Sequence, residues 1–217
     1  MNLLKKLSLG GLLLFSVTAF SVTAFAAAAT AVESSQDGVA SKWTIEKSGD
    51  QVVGNIAWSI NFTINRPVGD VWRHMKDFNS WMDDLHYNCV VGDAAEGSSI
   101  YFTYTDKMYA YLKKVYGTDA PQNYKKTLIV RRNEPGKLIV WEELSADQQK
   151  TISYYVWAFS EHKGKTSVTG WMSFAPHSYP NANEQKLRLE YRSEADEVVE
   201  RWNTTYIPRL RQLVENR

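Results

Sequence analysis

Three short breaks constrain this chain more than any other feature. "NEPGK", "SADQQ" and "EHKGK" separate the runs "KKTLIVRRN", "GKLIVWEEL", "TISYYVWAFS" and "KTSVTGWMSFAP", each rich in β-branched and aromatic residues. Breaks of that length join antiparallel neighbours as hairpins, because a parallel crossover needs a dozen or more residues. An antiparallel meander is therefore predicted, with strands around Ile129, Val140, Tyr155 and Trp171. One more strand, "SSIYFTYTD" around Phe102, precedes it after the break "AAEG".

Upstream, "NIAWSINFTIN" alternates Ile56, Trp58, Ile60, Phe62 and Ile64 with Ala57, Ser59, Asn61, Thr63 and Asn65. Period two marks a strand with one buried face. Pro67 ends it and suits the first turn of a helix, where its missing N–H has no partner to lose. Val71, Met75 and Phe78, then Met82 and Leu85, come next at steps of three and four. Asn79 or Ser80 can cap a second segment, so two short helices are expected, joined near "DFNSW".

Residues 106–123, "DKMYAYLKKVYGTDAPQN", place Met108, Leu112 and Val115 at helical spacing, which predicts a helical insertion or long flap between strands. The chain closes on Leu187, Tyr191, Ala195, Val198, Trp202, Tyr206, Leu210 and Leu213, one face of a long amphipathic helix. Pro208 should kink or divide that helix.

The start, "MNLLKKLSLGGLLLFSVTAFSVTAFAAAATAVESS", has the layout of a secretory leader: Lys5 and Lys6, an apolar run, then small residues with an A-x-A site at Ala24–Ala26. The reading is a signal peptide over 1–26, a flexible lead-in over 27–42 and one domain over 43–217, in a secreted or periplasmic protein. An uncleaved anchor is the alternative, since the doubled "SVTAF" lengthens the apolar run. Losing Lys5 and Lys6 takes the formal charge from +1 to −1. That balance argues against nucleic acid, which requires clustered positive charge, and against purely electrostatic membrane binding. Cys89 is the single cysteine, so the core must hold the fold without an internal disulfide. His74, His86, His162 and His177 show no H-x-x-x-H spacing, and no metal or cofactor fingerprint appears.

The order is strand, two short helices, about five antiparallel strands, long C-terminal helix. With "INRPVGDVWRHMKDFNSW", in which Pro67 at the turn precedes Val71, Trp72, Asp77, Phe78 and Trp81, the chain resembles the helix-grip superfamily. That superfamily includes START lipid-transfer domains, birch-pollen-allergen relatives and polyketide cyclase and dehydrase relatives. The resemblance runs from about Asn55 to the end and implies an α+β fold. A curved antiparallel sheet of about six to seven strands would wrap around the long helix, with an apolar cavity between them. It further implies a hydrophobic small molecule or lipid as ligand, and transient membrane contact and no cofactor are expected beside it. The insertion over 106–123 departs from the pattern, and the second helix, with Trp81, Met82 and Leu85, would stand at the cavity entrance.

Aromatic residues dominate the candidate ligand contacts. Trp58, Phe62, Tyr104, Tyr155, Trp157, Trp171, Phe174, Trp202 and Tyr206 all fall on strand or helix positions that can face the interior. Large rings there can fill a core or line a pocket, and Trp and Tyr keep one polar handle. Catalytic candidates are few. Asp83, Asp84 and His86 form a group able to orient an imidazole or simply to solvate a helix end. Of Glu142 and Glu143, alternation sends one inward, and Arg131 or Arg132 on the neighbouring strand can pair with it. A binding or carrier function is the first expectation. A cyclase- or hydratase-type enzyme using Asp83, His86 or Glu142 is the alternative, and an envelope interaction module a third.

Overall fold

The computed structural model describes residues 37–76, 87–91, 95–106, 109–110, 125–145 and 150–216. The expected leader, the second short helix with Phe78, Trp81, Met82 and Leu85, the group Asp83, Asp84 and His86, and most of the 106–123 insertion lie outside these residues.

Among the described residues nine strands form one antiparallel sheet: β1 (Gly38–Ser48), β2 (Gln51–Ile64), β3 (Tyr87–Val91), β4 (Ser99–Tyr104), β5 (Lys125–Glu134), β6 (Leu138–Leu144), β7 (Thr151–His162), β8 (Lys165–Phe174) and β9 (His177–Pro180). Their order is β1-β2-β8-β7-β6-β5-β4-β3, and β9 continues beyond β8 along the same edge of β2. The meander is present as expected. Its β7–β8 hairpin turns through Lys163 and Gly164, both at positive φ (50° and 71°), the primed geometry that matches strand twist.

The expected six to seven strands fall short by β1, β3 and β9. Residues 38–42, expected in a flexible lead-in, pair instead with Ala57–Asn61 of β2. β1 is an edge strand in which Ile45 is the fully buried residue, so it lacks the strong apolar alternation that identifies β2. The other two are only five and four residues long.

Along β2 the burial alternates as the sequence predicts, with Ile56, Trp58, Ile60, Phe62 and Ile64 all under 5% exposed. Pro67 caps helix α1 (Val68–Met75) in an extended conformation. No side chain of the cap satisfies the first-turn amides. Instead Glu161 of β7 accepts from Val68 N–H at 2.9 Å, and its charge suits the positive end of the helix. Val71 and Met75 are fully buried, and Trp72 meets Phe159 edge-on with centroids 5.2 Å apart.

The C-terminal helix has three parts: α2 (Glu184–Arg201), a π turn (Trp202–Tyr206) and α3 (Ile207–Glu215). Asn183 caps its start, accepting from Lys186 N–H at 3.0 Å. Pro208 cannot donate to the carbonyl four residues back. The chain accommodates this with a wide turn in which Ile207 N–H reaches Trp202 O. The wide turn rotates the residues of α3 about the helix axis, so Ile207 and Val214 are buried while Leu213 is only half-buried.

The far end of the helix is clasped to the sheet. Asn65 N–H donates to Glu215 Oε1 at 2.7 Å, Arg66 donates to Glu215 O at 2.8 Å, and Arg211 Nε donates to Thr63 O at 3.0 Å. Asp37 completes the clasp, pairing with Arg211 at 2.5 Å and accepting from Thr63 N–H at 2.9 Å. This is the helix-grip arrangement, and no helix among the described residues is long and apolar enough to cross a membrane.

Candidate functional site

Strand register decides which side chains face the helix. Directly paired residues of an antiparallel sheet share a face. The pairs Trp58–Met172, Met172–Tyr155, Tyr155–Trp141 and Trp141–Val130 therefore make one transverse row. A second row runs Ile60, Gly170, Trp157, Ile139, and a third Phe174, Ser153, Glu143, Leu128. The helix is nearest to β1 and β2, so the inner side of β6, β7 and β8 is approached mainly by its long side chains.

The rings that bridge this space form a chain. Trp157 lies 5.2 Å from Trp202 at a 38° tilt and 6.5 Å from Trp141, and Trp202 meets Tyr206 edge-on at 5.1 Å. Trp202 and Tyr206 are the two ends of the π turn, which presents both to the sheet. Phe174 stands edge-on to Trp58 at 5.7 Å. Trp58 is anchored by its indole, whose Nε1–H reaches Ala195 O at 3.4 Å. Trp157 differs: it is 1% exposed, and its Nε1 has no hydrogen-bond partner. A buried donor left unmade costs roughly 1–3 kcal/mol, a cost that an acceptor placed against it removes.

Two polar groups enter the same interior. On the sheet, Glu143 is 3% exposed and accepts from Ser153 Oγ at 2.5 Å and from Tyr155 OH at 2.9 Å. On the helix, Tyr191 OH lies 3.2 Å from Tyr179 OH of β9, and both phenols are pushed upward, chiefly by burial. The Glu194 carboxyl is also raised, first by burial and then by neighbouring Glu197, with Arg201 opposing.

Trp58, Phe62, Trp157, Trp202 and Tyr206 are buried on the helix-facing side, where the sequence reading places them, and Tyr155 and Phe174 are half-buried there. Trp171 is a correction. It pairs with Ser59 and Val156 on the opposite face, because Gly170 and Met172 take the inward positions, so Trp171 and Phe174 cannot share a face. Tyr104 ends β4 opposite Tyr87, and its side chain, with Trp81 and Met82, lies outside what is described. Glu142 is likewise turned outward. There it pairs with Arg131 Nε at 2.5 Å, and Tyr154 OH lies 3.2 Å away, so it does not reach the interior, and the expected arginine pair forms with the outward glutamate in place of the inward one. Glu143 takes the inward place.

Sequence reasoning does not single out Trp141, Ser153, Tyr179, Tyr191 or Glu194 as site residues. Trp141 is legible from its alternation with Ile139 and Glu143, and Glu194 from lying three residues after Tyr191 on the apolar face of the helix. A separate cleft of about 110 Å³, lined by Arg66, Asp70, Arg73, His74 and Val214, lies beside α1 and is well below the size of a typical small-molecule site. No cluster of three potential metal-ligating side chains occurs among the described residues.

No family model matches this chain, and no curated protein matches it in sequence. Its likeness is to solved structures. Protein SA2116 of Staphylococcus aureus, of unknown function, superposes with a TM-score of 0.53 at 9% identity, covering 75% of this chain and 96% of that one. Protein NE0264 of Nitrosomonas europaea gives a TM-score of 0.47 at 15% identity over 74% and 94% of the two chains. DynU16, a protein of the dynemicin biosynthetic locus, gives 0.45 at 14% identity over 77% of this chain and 48% of its own. At these identities the likeness concerns the fold.

Proposed function

We propose that this protein binds an apolar small molecule or lipid between the C-terminal helix and the inner side of β6–β8, and that it is an exported carrier. The observation that carries the reading is Trp157. A buried indole donor without a partner, set among Trp141, Trp202 and Tyr206 and near half-buried Tyr155 and Phe174, suits a ligand that is mostly apolar and carries an acceptor. Apolar burial contributes roughly 25 cal/mol per Å², so such a ligand needs no charged anchor to bind. The leader-like first residues support export, which an N-terminal sequence of the mature protein tests directly. The binding reading is tested by native mass spectrometry and solvent extraction of the mature protein purified after expression with its leader. A co-purified apolar species at near-stoichiometric amount is expected, and a ligand-free protein that binds no apolar probe overturns the reading.

One observation favours a catalytic variant of the same site. Glu143 is inward, buried and hydrogen-bonded to Tyr155 and Ser153, so it replaces Glu142 as the acid or base a cyclase or hydratase would use. In that case Glu143→Gln leaves the extracted ligand bound but changes it from product to precursor, read as a mass difference of one water for a hydratase and as a change in chromatographic retention for a cyclisation that conserves mass. An unchanged mass and retention remove this reading.

A further inference from the structure

We propose that Glu194 is the polar anchor of the interior, accepting a hydrogen bond from a hydroxyl or amino group of an otherwise apolar ligand beside the Tyr179–Tyr191 pair. The inference rests on the binding reading and narrows its ligand class to molecules that carry a donor.

Placement on the helix comes first. Glu194 stands three residues after Tyr191 and immediately before Ala195, both of them buried against the sheet, so it lies on the flank of that face. Arg188, on the opposite flank of that face, donates to Ile45 O of β1 at 2.8 Å. Tyr179 belongs to β9, on the edge of β2 that β8 also occupies. The Glu194 flank is therefore the one turned toward β8 and the aromatic interior, away from β1.

Its bonding comes second. Glu194 is half-buried, yet it makes no hydrogen bond or ion pair with any described residue. The cation that acts on it, Arg201, is bonded to Glu197. The neighbouring phenols are bonded to each other. A carboxylate drawn partly out of water without a donor is costly, and the cost falls when a ligand supplies one. A charged acceptor of this kind discriminates strongly between ligands that do and do not donate.

The test uses three probes that share a ring system and differ in the donor: 2-naphthol, 2-naphthylmethylamine and 2-methoxynaphthalene. Calorimetric titration of the wild type is expected to show the alcohol or the amine binding roughly tenfold tighter than the ether. Glu194→Leu is expected to bring the affinities together without weakening the ether. Glu194→Gln, which keeps one acceptor oxygen and loses the charge, is expected to abolish the preference for the amine and retain part of that for the alcohol, and it serves equally if Glu194→Leu does not fold. Equal binding of all three by the wild type, or a preference that survives the substitutions, overturns the anchor and leaves the binding reading standing. Binding of none of the three overturns both.

Discussion

The six-membered ring of Trp157 lies on the bare backbone of Gly170, so close that a Cβ there would come within 2.2 Å of the ring. Glycine is disfavoured inside a strand, and here the close approach of the indole accounts for it. Gly170→Ala is expected to displace Trp157 and lower stability by about 1–3 kcal/mol, with a changed near-ultraviolet circular dichroism. Gly69→Ala is the control, since nothing lies within 4 Å of its new Cβ in α1, and it should be neutral or stabilising by about 1 kcal/mol. Equal losses at the two positions in denaturant unfolding would contradict the packing account.

Trp157→Phe keeps a ring over Gly170 and removes the indole N–H that has no partner. The relieved desolvation offsets part of the lost volume, so the substitution should cost less than about 1.5 kcal/mol, against about 3–5 kcal/mol for Trp157→Ala. Ligand affinity should nevertheless fall in Trp157→Phe. A loss of stability equal to that of the alanine variant would show that the N–H is satisfied in solution.

Glu194 gives a pH dependence with a definite sign. Its folded carboxyl is raised above the ordinary value of 4.5, mainly by burial, so the folded state holds the proton more tightly than the unfolded one. The resulting stabilisation is fully present below the ordinary value and is lost as pH rises through the raised one. Glu194→Gln should therefore stabilise the protein at pH 7, and the gain should shrink as pH falls through the raised value and be gone below 4.5. Paired denaturant titrations at the two ends of that window check it, and a gain that does not vary with pH would rule out burial as the cause.

The first residues of β1 belong to the folded unit. Asp37 joins Arg211 to Thr63, and Val39 and Ser41 pair with Ile60 and Trp58. A chain beginning at Trp43 should unfold several degrees below one beginning at Asp37. Asp37→Ala alone should cost less than about 1 kcal/mol, because its ion pair is only half withdrawn from solvent. Identical melting temperatures for the two chain starts would return residues 37–42 to the lead-in.

Much of the architecture is legible in the sequence because its signals are local. The alternation of Ile56 to Ile64, the short hairpin breaks and the stepping of Leu187, Tyr191 and Ala195 each come from a period that a few residues carry. β1 is not legible, since an edge strand that buries chiefly Ile45 carries little of that period. Among the rings buried on the helix-facing side, Trp58, Phe62, Trp157, Trp202 and Tyr206 are legible from residue type and position. Trp171 departs from its expected place because parity along the strand outweighs residue type: with Gly170 and Met172 inward, it must point out. For Glu142 and Glu143, alternation shows that one is inward but not which.

By itself the sequence determined the antiparallel meander, the amphipathic C-terminal helix and its break at Pro208, because backbone sterics and hydrophobic period act over neighbouring residues. Tertiary structure alone decided which face of each strand meets the helix and which carboxylate, Glu143 rather than Glu142, enters the interior. It alone also left Trp157 Nε1 and the Glu194 carboxyl without a hydrogen-bond partner among the described residues. Those outcomes depend on register between strands and on contacts between residues more than a hundred positions apart, such as the Trp58 indole with the Ala195 carbonyl. No local pattern encodes a contact of that range; only the closing of the helix onto the sheet brings it about.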